Sequence, residues 1–274
     1  MLASFLTVAF LVIGLSAFRM LRDDITPAVQ ATLRLGIIMA AVLAPLQIFT
    51  GDLHGLNTLE HQPAKVAAME ALWETRRGAP LVLFGFPDAE TQSNKYAIEL
   101  PGMASLILVH DMQGEVQGID AFPDAHPPVA PVFWSFRVMV GTGVLMLLIS
   151  WAAAWSLKRR NGLSPFMLKA FVAMTFSGWV AVLAGWYTTE IGRQPFLVTD
   201  VLRTADAVTS VSAGNIGLTL ALYLLLYAVL ITSYITVVFY LARQAGEADS
   251  KSAEPTAHGP VVLAGKAATE GGHA

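Results

Sequence analysis

Five long apolar blocks constrain this chain more than any other feature. They cover residues 2–18, 28–50, 132–157, 167–188 and 216–241. A helix that crosses a membrane needs about 20 mostly apolar residues, and it must satisfy its own backbone N–H and C=O groups where water is absent. No soluble fold accommodates five such stretches. Charged residues make up 14% of the chain, against about 25% in a soluble domain. A soluble globular enzyme, a disordered tail and a nucleic-acid binder are therefore set aside as first readings. The expected fold is all-α, a polytopic transmembrane helical bundle with one large outer loop. The chain has no cysteine, which removes disulfides, Fe–S clusters and Cys-ligated zinc.

The first block follows Met1 directly, with Arg19 and Arg22 behind it rather than ahead of it. A cleaved signal peptide carries its positive charge first, so a retained helix, entered partway, is expected. Orientation follows the short-loop Lys and Arg residues. Arg19, Arg22 and Arg34, the run Lys158-Arg159-Arg160, and Arg243 all fall on one side of a five-span chain, the cytoplasmic side. The N-terminus and residues 51–131 and 189–215 then face the periplasm. The chain divides into two spans (1–50), an outer loop (51–131), three spans (132–243) and a cytoplasmic tail (244–274). The tail is too polar and too rich in small residues to pack, and disorder is expected there.

A segment as long as 51–131 carries function or structure of its own. Residues 63–77 read as a helix on the membrane surface or on the bundle. Pro63 suits its first turn, Arg76, Arg77 and Gly78 suit its end, and Val66, Met69, Leu72 and Trp73 form its apolar stripe. Lys65 and Glu70 on this helix read as solvated charges. Five residues turn a helix by about 140° from one full revolution, so the two do not share a face. Residues 81–86 form a short apolar run, and 94–98 and 105–110 read as short extended pieces.

Charge inside hydrocarbon costs about 2.5–3.5 kcal/mol per residue on insertion scales, so the charges near the spans are few and informative. Arg137 lies one turn into the third span, where snorkelling to the interface is the plain reading. Glu190 ends the fourth span, where pairing with Arg193 beside an aromatic belt is the plain reading. Met139 reads as core filler. The six histidines all lie outside the spans: His54, His61, His110 and His126 in the outer segment, His258 and His273 in the tail. A haem inside the bundle would need Met, a carboxylate, or a His from elsewhere.

Three strings go further. Residues 186–195 read Trp-Tyr-Thr-Thr-Glu-Ile-Gly-Arg-Gln-Pro, 135–139 read Ser-Phe-Arg-Val-Met, and Gly51-Asp52-Leu53-His54-Gly55 precedes Lys65-Val66-Ala67-Ala68-Met69-Glu70. In this order and spacing the chain, from Met1 to about Arg243, resembles subunit I of the cytochrome bd quinol oxidases. The short outer loop is similar to that of their cyanide-insensitive branch. The family's signature continues with Trp after Gln-Pro, where this chain has Phe196. The resemblance covers only the last five of the family's nine spans, the C-terminal part.

The resemblance implies a terminal oxidase of the respiratory chain in the bacterial inner (plasma) membrane. Quinol would be oxidised at the periplasmic face, and electrons would pass through b haems to haem d, or a third haem b, which reduces oxygen to water. Met139 would be an axial ligand of low-spin haem b, with Arg137 nearby. Glu190 would be the axial ligand of high-spin haem b, Arg193 would stabilise propionates or the reduced haem centre, and Trp186 would pack among the haems. Lys65 and Glu70 would bind quinol and take up its protons. A second oxidase subunit, membrane lipids and the missing N-terminal helices of subunit I would be the partners. The haem d ligand and the His partner of Met139 would belong to those helices. The chain alone is therefore expected not to reduce oxygen. A five-span transporter and an inactive truncated remnant are the alternatives.

Overall fold

The computed structural model describes residues 1–207 and 209–252. The described residues divide into two compact units, one within Met1–Val208 and the other within Thr209–Ala274.

Four of the apolar blocks build the first unit. Helix α1 spans Leu2–Leu21 and α2 spans Pro27–His61. Thr26 caps α2 by accepting from the Val29 N–H at 3.3 Å, and Pro27 follows in the first turn. Helix α5 spans Val129–Arg160. The fourth block is broken in two, α6 (Pro165–Ala173) and α7 (Ser177–Ile191). Thr175 lies at the break and donates back to the Val172 carbonyl at 2.7 Å, a bond that competes with the helix ladder and bends it. The helices close a ring: α1 packs on α2, α2 on α5, α5 on α7, and α6 and α7 on α1. Phe10, Ile13, Ile37, Met146 and Phe171 fill its centre. The outward faces stay apolar too, with Val8, Ile38, Leu148 and Trp179 exposed. That is the pattern of helices surrounded by hydrocarbon rather than water.

Among the described residues, five helical stretches are long and apolar enough to cross a membrane: Leu2–Leu21, Pro27–His61, Val129–Arg160, Pro165–Ile191 and Ala213–Leu241. The last belongs to the second unit, in helix α8 (Ala213–Ser252). Helix α8 continues past residue 244, where a disordered tail was expected to begin. Residues 253–274 of that tail lie outside the described residues. The Arg34 guanidinium donates to Asn161 Oδ1 at 2.8 Å. This bond brings the start of α2 beside the basic end of α5, so those charges gather at one end of the bundle.

The outer segment departs from expectation in three places. Helix α2 runs to His61, so residues 51–61 extend the second helix instead of opening the loop. The helix expected over 63–77 stops early: α3 is Pro63–Glu70. Ala71 turns left-handed at φ 50°, and the Leu72 N–H closes on the Ala67 carbonyl at 2.9 Å, a Schellman-type stop. Tertiary bonds hold the chain off the helix beyond that point. Leu72 and Trp73 give their carbonyls to the N–H groups of Ile119 and Asp120, and Asn94 accepts from Trp73 Nε1 while donating to the Ala71 carbonyl. Arg76–Arg77 is then strand β1, paired antiparallel with β4 (Glu115–Val116). The third departure is residues 105–110, expected to be extended, which fall mostly in helix α4 (Met103–Val109). The apolar run at 81–86 does form a strand, β2 (Leu81–Asp88), in a hairpin with β3 (Ser93–Leu100). Ala67, Ala68, Val82, Ile119, Val132 and Phe133 pack into one core, which seats α3 and the hairpin on the first turns of α5.

Candidate functional site

Helix α3 carries Lys65 near its start and Glu70 at its end, and the two reach different partners. Glu70 Oε2 accepts from Arg137 Nη2 at 2.6 Å, and Arg137 Nε donates to the Val82 carbonyl at 2.7 Å. The Glu70 side chain is buried, 8% exposed, and that of Arg137 is nearly so, at 12%. The guanidinium lies 4.8 Å from the centroid of the Phe133 ring and 5.4 Å from that of Phe136. Arg137 therefore does not snorkel, and Glu70 is not a solvated charge. Each depends on the other, because a lone buried charge costs several kcal/mol.

Met139 follows Arg137 by two residues, about 200° around the helix. It points to another neighbour. Its sulfur packs against Gly185 of α7, where a Cβ would lie 2.8 Å from Sδ. One turn away, Thr188 Oγ1 donates to Ser135 Oγ at 3.0 Å and ties α5 to α7. Arg137 thus faces the outer segment and Met139 faces α7.

Glu190 and Arg193 form an ion pair at the end of α7, as the sequence suggested. Lys65 lies over the Gly192 backbone between them, and a Cβ on Gly192 would come within 2.9 Å of Lys65 Cε. Burial is the main cause that lowers the Lys65 ammonium from its usual 10.5. Arg193 lowers it further, and Glu190 partly opposes the shift. Arg193 Nε is buried without a hydrogen-bond partner. Trp186 shares the Glu190 face of α7, one turn back, and stands 57% exposed with Tyr187 beside it at 5.7 Å.

A cleft of about 100 Å³ opens beside Lys65 and Arg193, lined also by His61, Phe122, Gln194 and Asp200. One water needs roughly 10–15 Å³ of such space, so the cleft admits something larger. These four residues had no role in the sequence reading. His61 precedes Lys65 by one helical turn of sequence, but the break at Gln62 between α2 and α3 hides their proximity. Gln194 is held by Thr204 Oγ1, which donates to Gln194 Oε1 at 2.8 Å. Behind it β5 (Phe196–Val198) and β6 (Leu202–Arg203) form a short hairpin. Asp200 lies between those strands.

A family model described as cytochrome bd terminal oxidase subunit I matches residues 1–246. The chain is 30% identical over 269 residues to the cytochrome bd ubiquinol oxidase subunit 1 of Bacillus subtilis (strain 168), covering 93% of this chain and 57% of that one. It is 25% identical over 325 residues to the cytochrome bd-II ubiquinol oxidase subunit 1 of Escherichia coli (strain K12), covering 93% and 63%. Its fold is similar to a chain in the solved structure of the bd oxidase from Geobacillus thermodenitrificans, with a TM-score of 0.76 and 30% identity over 89% of this chain and 56% of that chain. The chain thus spans 57% and 63% of the length of these two relatives.

Proposed function

This chain belongs to the cytochrome bd terminal oxidase subunit I family, and from that membership we propose that it is part of a quinol:oxygen oxidoreductase of a bacterial respiratory membrane. Quinol is oxidised at the periplasmic side of the bundle, oxygen is reduced to water, and a second subunit completes the complex. The family sets aside the transporter alternative.

One observation supports the assignment of sites above all others: α3 touches both candidate haem neighbourhoods. Its Glu70 end pairs with Arg137, two residues from Met139. Its Lys65 end lies on the turn that joins Glu190 to Arg193. A short helix that binds quinol with Lys65 and is anchored to α5 through Glu70 is thereby coupled to both.

The donors present fit haem. A thioether is a haem-iron ligand, and a carboxylate could offer a hard anionic donor to a second haem iron. The unpartnered buried Nε of Arg193 suits the carboxylate of a propionate, since a buried donor without an acceptor is costly. In this reading Met139 would hold the low-spin haem b with Arg137 nearby. Glu190 would hold the high-spin haem b, Arg193 would offset propionate charge, and Trp186 would pack among the haems. Bound haems supply the one-electron carriers between quinol and oxygen, with haem d or a third haem b as the oxygen site. Lys65 donates hydrogen bonds to a quinol oxygen, and its partly buried ammonium gives up its proton more readily than a free lysine.

The test is a reduced-minus-oxidised absorbance spectrum of the oxidase assembled from this chain with the family's remaining helices and second subunit. Met139→Leu removes the low-spin b signal and leaves the high-spin one, and Glu190→Gln does the reverse. Unchanged spectra in both variants would overturn the ligand assignment.

A further inference from the structure

His61 ends α2 and lines the same cleft as Lys65 and Arg193. Its Nδ1 lies 3.0 Å from the Asn57 carbonyl oxygen. A carbonyl oxygen only accepts, so Nδ1 carries the hydrogen and the neutral ring keeps its lone pair on Nε2. The backbone bond thus fixes the tautomer and leaves one nitrogen as a base. Three other titratable or charged groups line the cleft, each from a separate element: Lys65 from α3, Arg193 from the turn after α7, and Asp200 from the β5–β6 turn. Lys65 and Arg193 are donors when charged, suited to holding an oxygen that is gaining negative charge. Glu70 is withdrawn from the cleft by its pairing with Arg137.

We propose that His61 Nε2 is the group that accepts a hydroxyl proton from quinol in this cleft, an inference that rests on the cleft being the quinol site. As quinol becomes quinone, one O–H bond breaks and the Nε2–H bond forms. The second hydroxyl proton passes to water at the cleft mouth. The two electrons go one at a time to ferric haem of the assembled oxidase. The imidazolium then releases its proton to outer water, to which the exposed His61 ring is open. The two cations of the cleft, Lys65 and Arg193, bind a quinol oxygen but do not take its proton while charged.

The experiment is steady-state oxidation of a soluble short-chain benzoquinol by the assembled oxidase from pH 5 to 9. His61→Gln, His61→Ala and Lys65→Gln are compared, and the haem spectrum of each preparation is recorded. The acid limb of kcat marks the loss of a neutral base, since histidine changes charge between about pH 5 and 8. In His61→Gln, kcat falls by about a hundredfold, the lower range for a lost general base. KM stays within about twofold, the acid limb disappears and the haem spectrum is intact. Added imidazole restores part of the activity of His61→Ala. If His61→Gln keeps its kcat and acid limb while Lys65→Gln raises KM, the cleft binds quinol and His61 is a bystander. If kcat falls with the limb retained and no imidazole rescue, the effect of His61 is structural and the inference fails. If Lys65→Gln also leaves KM unchanged, the cleft is not the quinol site and both readings fall.

Discussion

Glu70 and Arg137 stand 67 residues apart in the chain and share one buried ion pair at 2.6 Å. The pair fastens the outer segment to the third span. It also places a carboxylate from α3 beside the guanidinium that precedes Met139.

Breaking this pair from one side destabilises the protein more than deleting both sides. Glu70→Gln leaves a buried guanidinium without its counter-charge and costs about 3–5 kcal/mol. Replacing both, Glu70→Leu with Arg137→Met, recovers most of that loss. Thermal unfolding of the four members of the cycle in detergent measures the coupling. A loss under about 1 kcal/mol in Glu70→Gln, the scale of an exposed pair, contradicts the buried-pair account.

Lys65 gives a stability that rises with pH. Burial and Arg193 hold its ammonium below 10.5 in the folded chain. Below the folded value both states carry the proton. Between that value and 10.5 the unfolded chain binds more protons than the folded one, so unfolding becomes harder as pH increases. The rate of acylation of Lys65, followed by mass spectrometry against pH, inflects below 10.5. An inflection at or above 10.5 refutes this.

The β2–β3 hairpin responds with the same sign, at the acid end of the scale. The Asp88 carboxyl is held at about 2, below 3.8, first by the Lys95 ammonium, then by the Thr91 hydroxyl and the Glu90 N–H. Its contribution is complete above 3.8 and is lost as pH falls through about 2. Carbon-detected NMR of the Asp88 carboxyl reads the midpoint directly. In Lys95→Ala the midpoint moves up toward 3.8, and a midpoint that stays put assigns the shift elsewhere.

Gly185 is a point of close approach between α7 and the Met139 side chain of α5. A methyl there meets Met139 Sδ at 2.8 Å. Gly185→Ala forces the flexible Met139 side chain aside, at the low end of the roughly 1–3 kcal/mol range for overpacking, and the helix preference for Ala over Gly, about 1 kcal/mol, offsets part of that. Met139→Ala in the same background relieves it, so the double variant is more stable than the sum of the single changes. Strict additivity in thermal melts would show that the two residues do not touch.

What could be read before the fold was known depended on range. The five spans were legible because each is a local property, a run of apolar residues long enough for hydrocarbon. The angle between Lys65 and Glu70 was legible for the same reason. Helical geometry separates them, and the structure sends one to Arg193 and the other to Arg137. The end of α3 was misread. Arg76, Arg77 and Gly78 look like a helix terminus, but Ala71 ends the helix, because Asn94, Ile119 and Asp120 bond to residues 71–73.

The sequence by itself determined that this chain is a membrane-spanning helical bundle, and its strings at 135–139 and 186–195 pointed to the family. Only the tertiary structure decided what the charges do. Arg137 reads alone as a residue reaching for water, and Glu70 as one already in it. Packing α3 and β2 on the first turns of α5 removes water from both, and from then on each is the other's cheapest partner. Local sequence sets how long a helix is and which faces are apolar. The dielectric around a charge is set by what lies across from it, and that comes from residues distant in the chain.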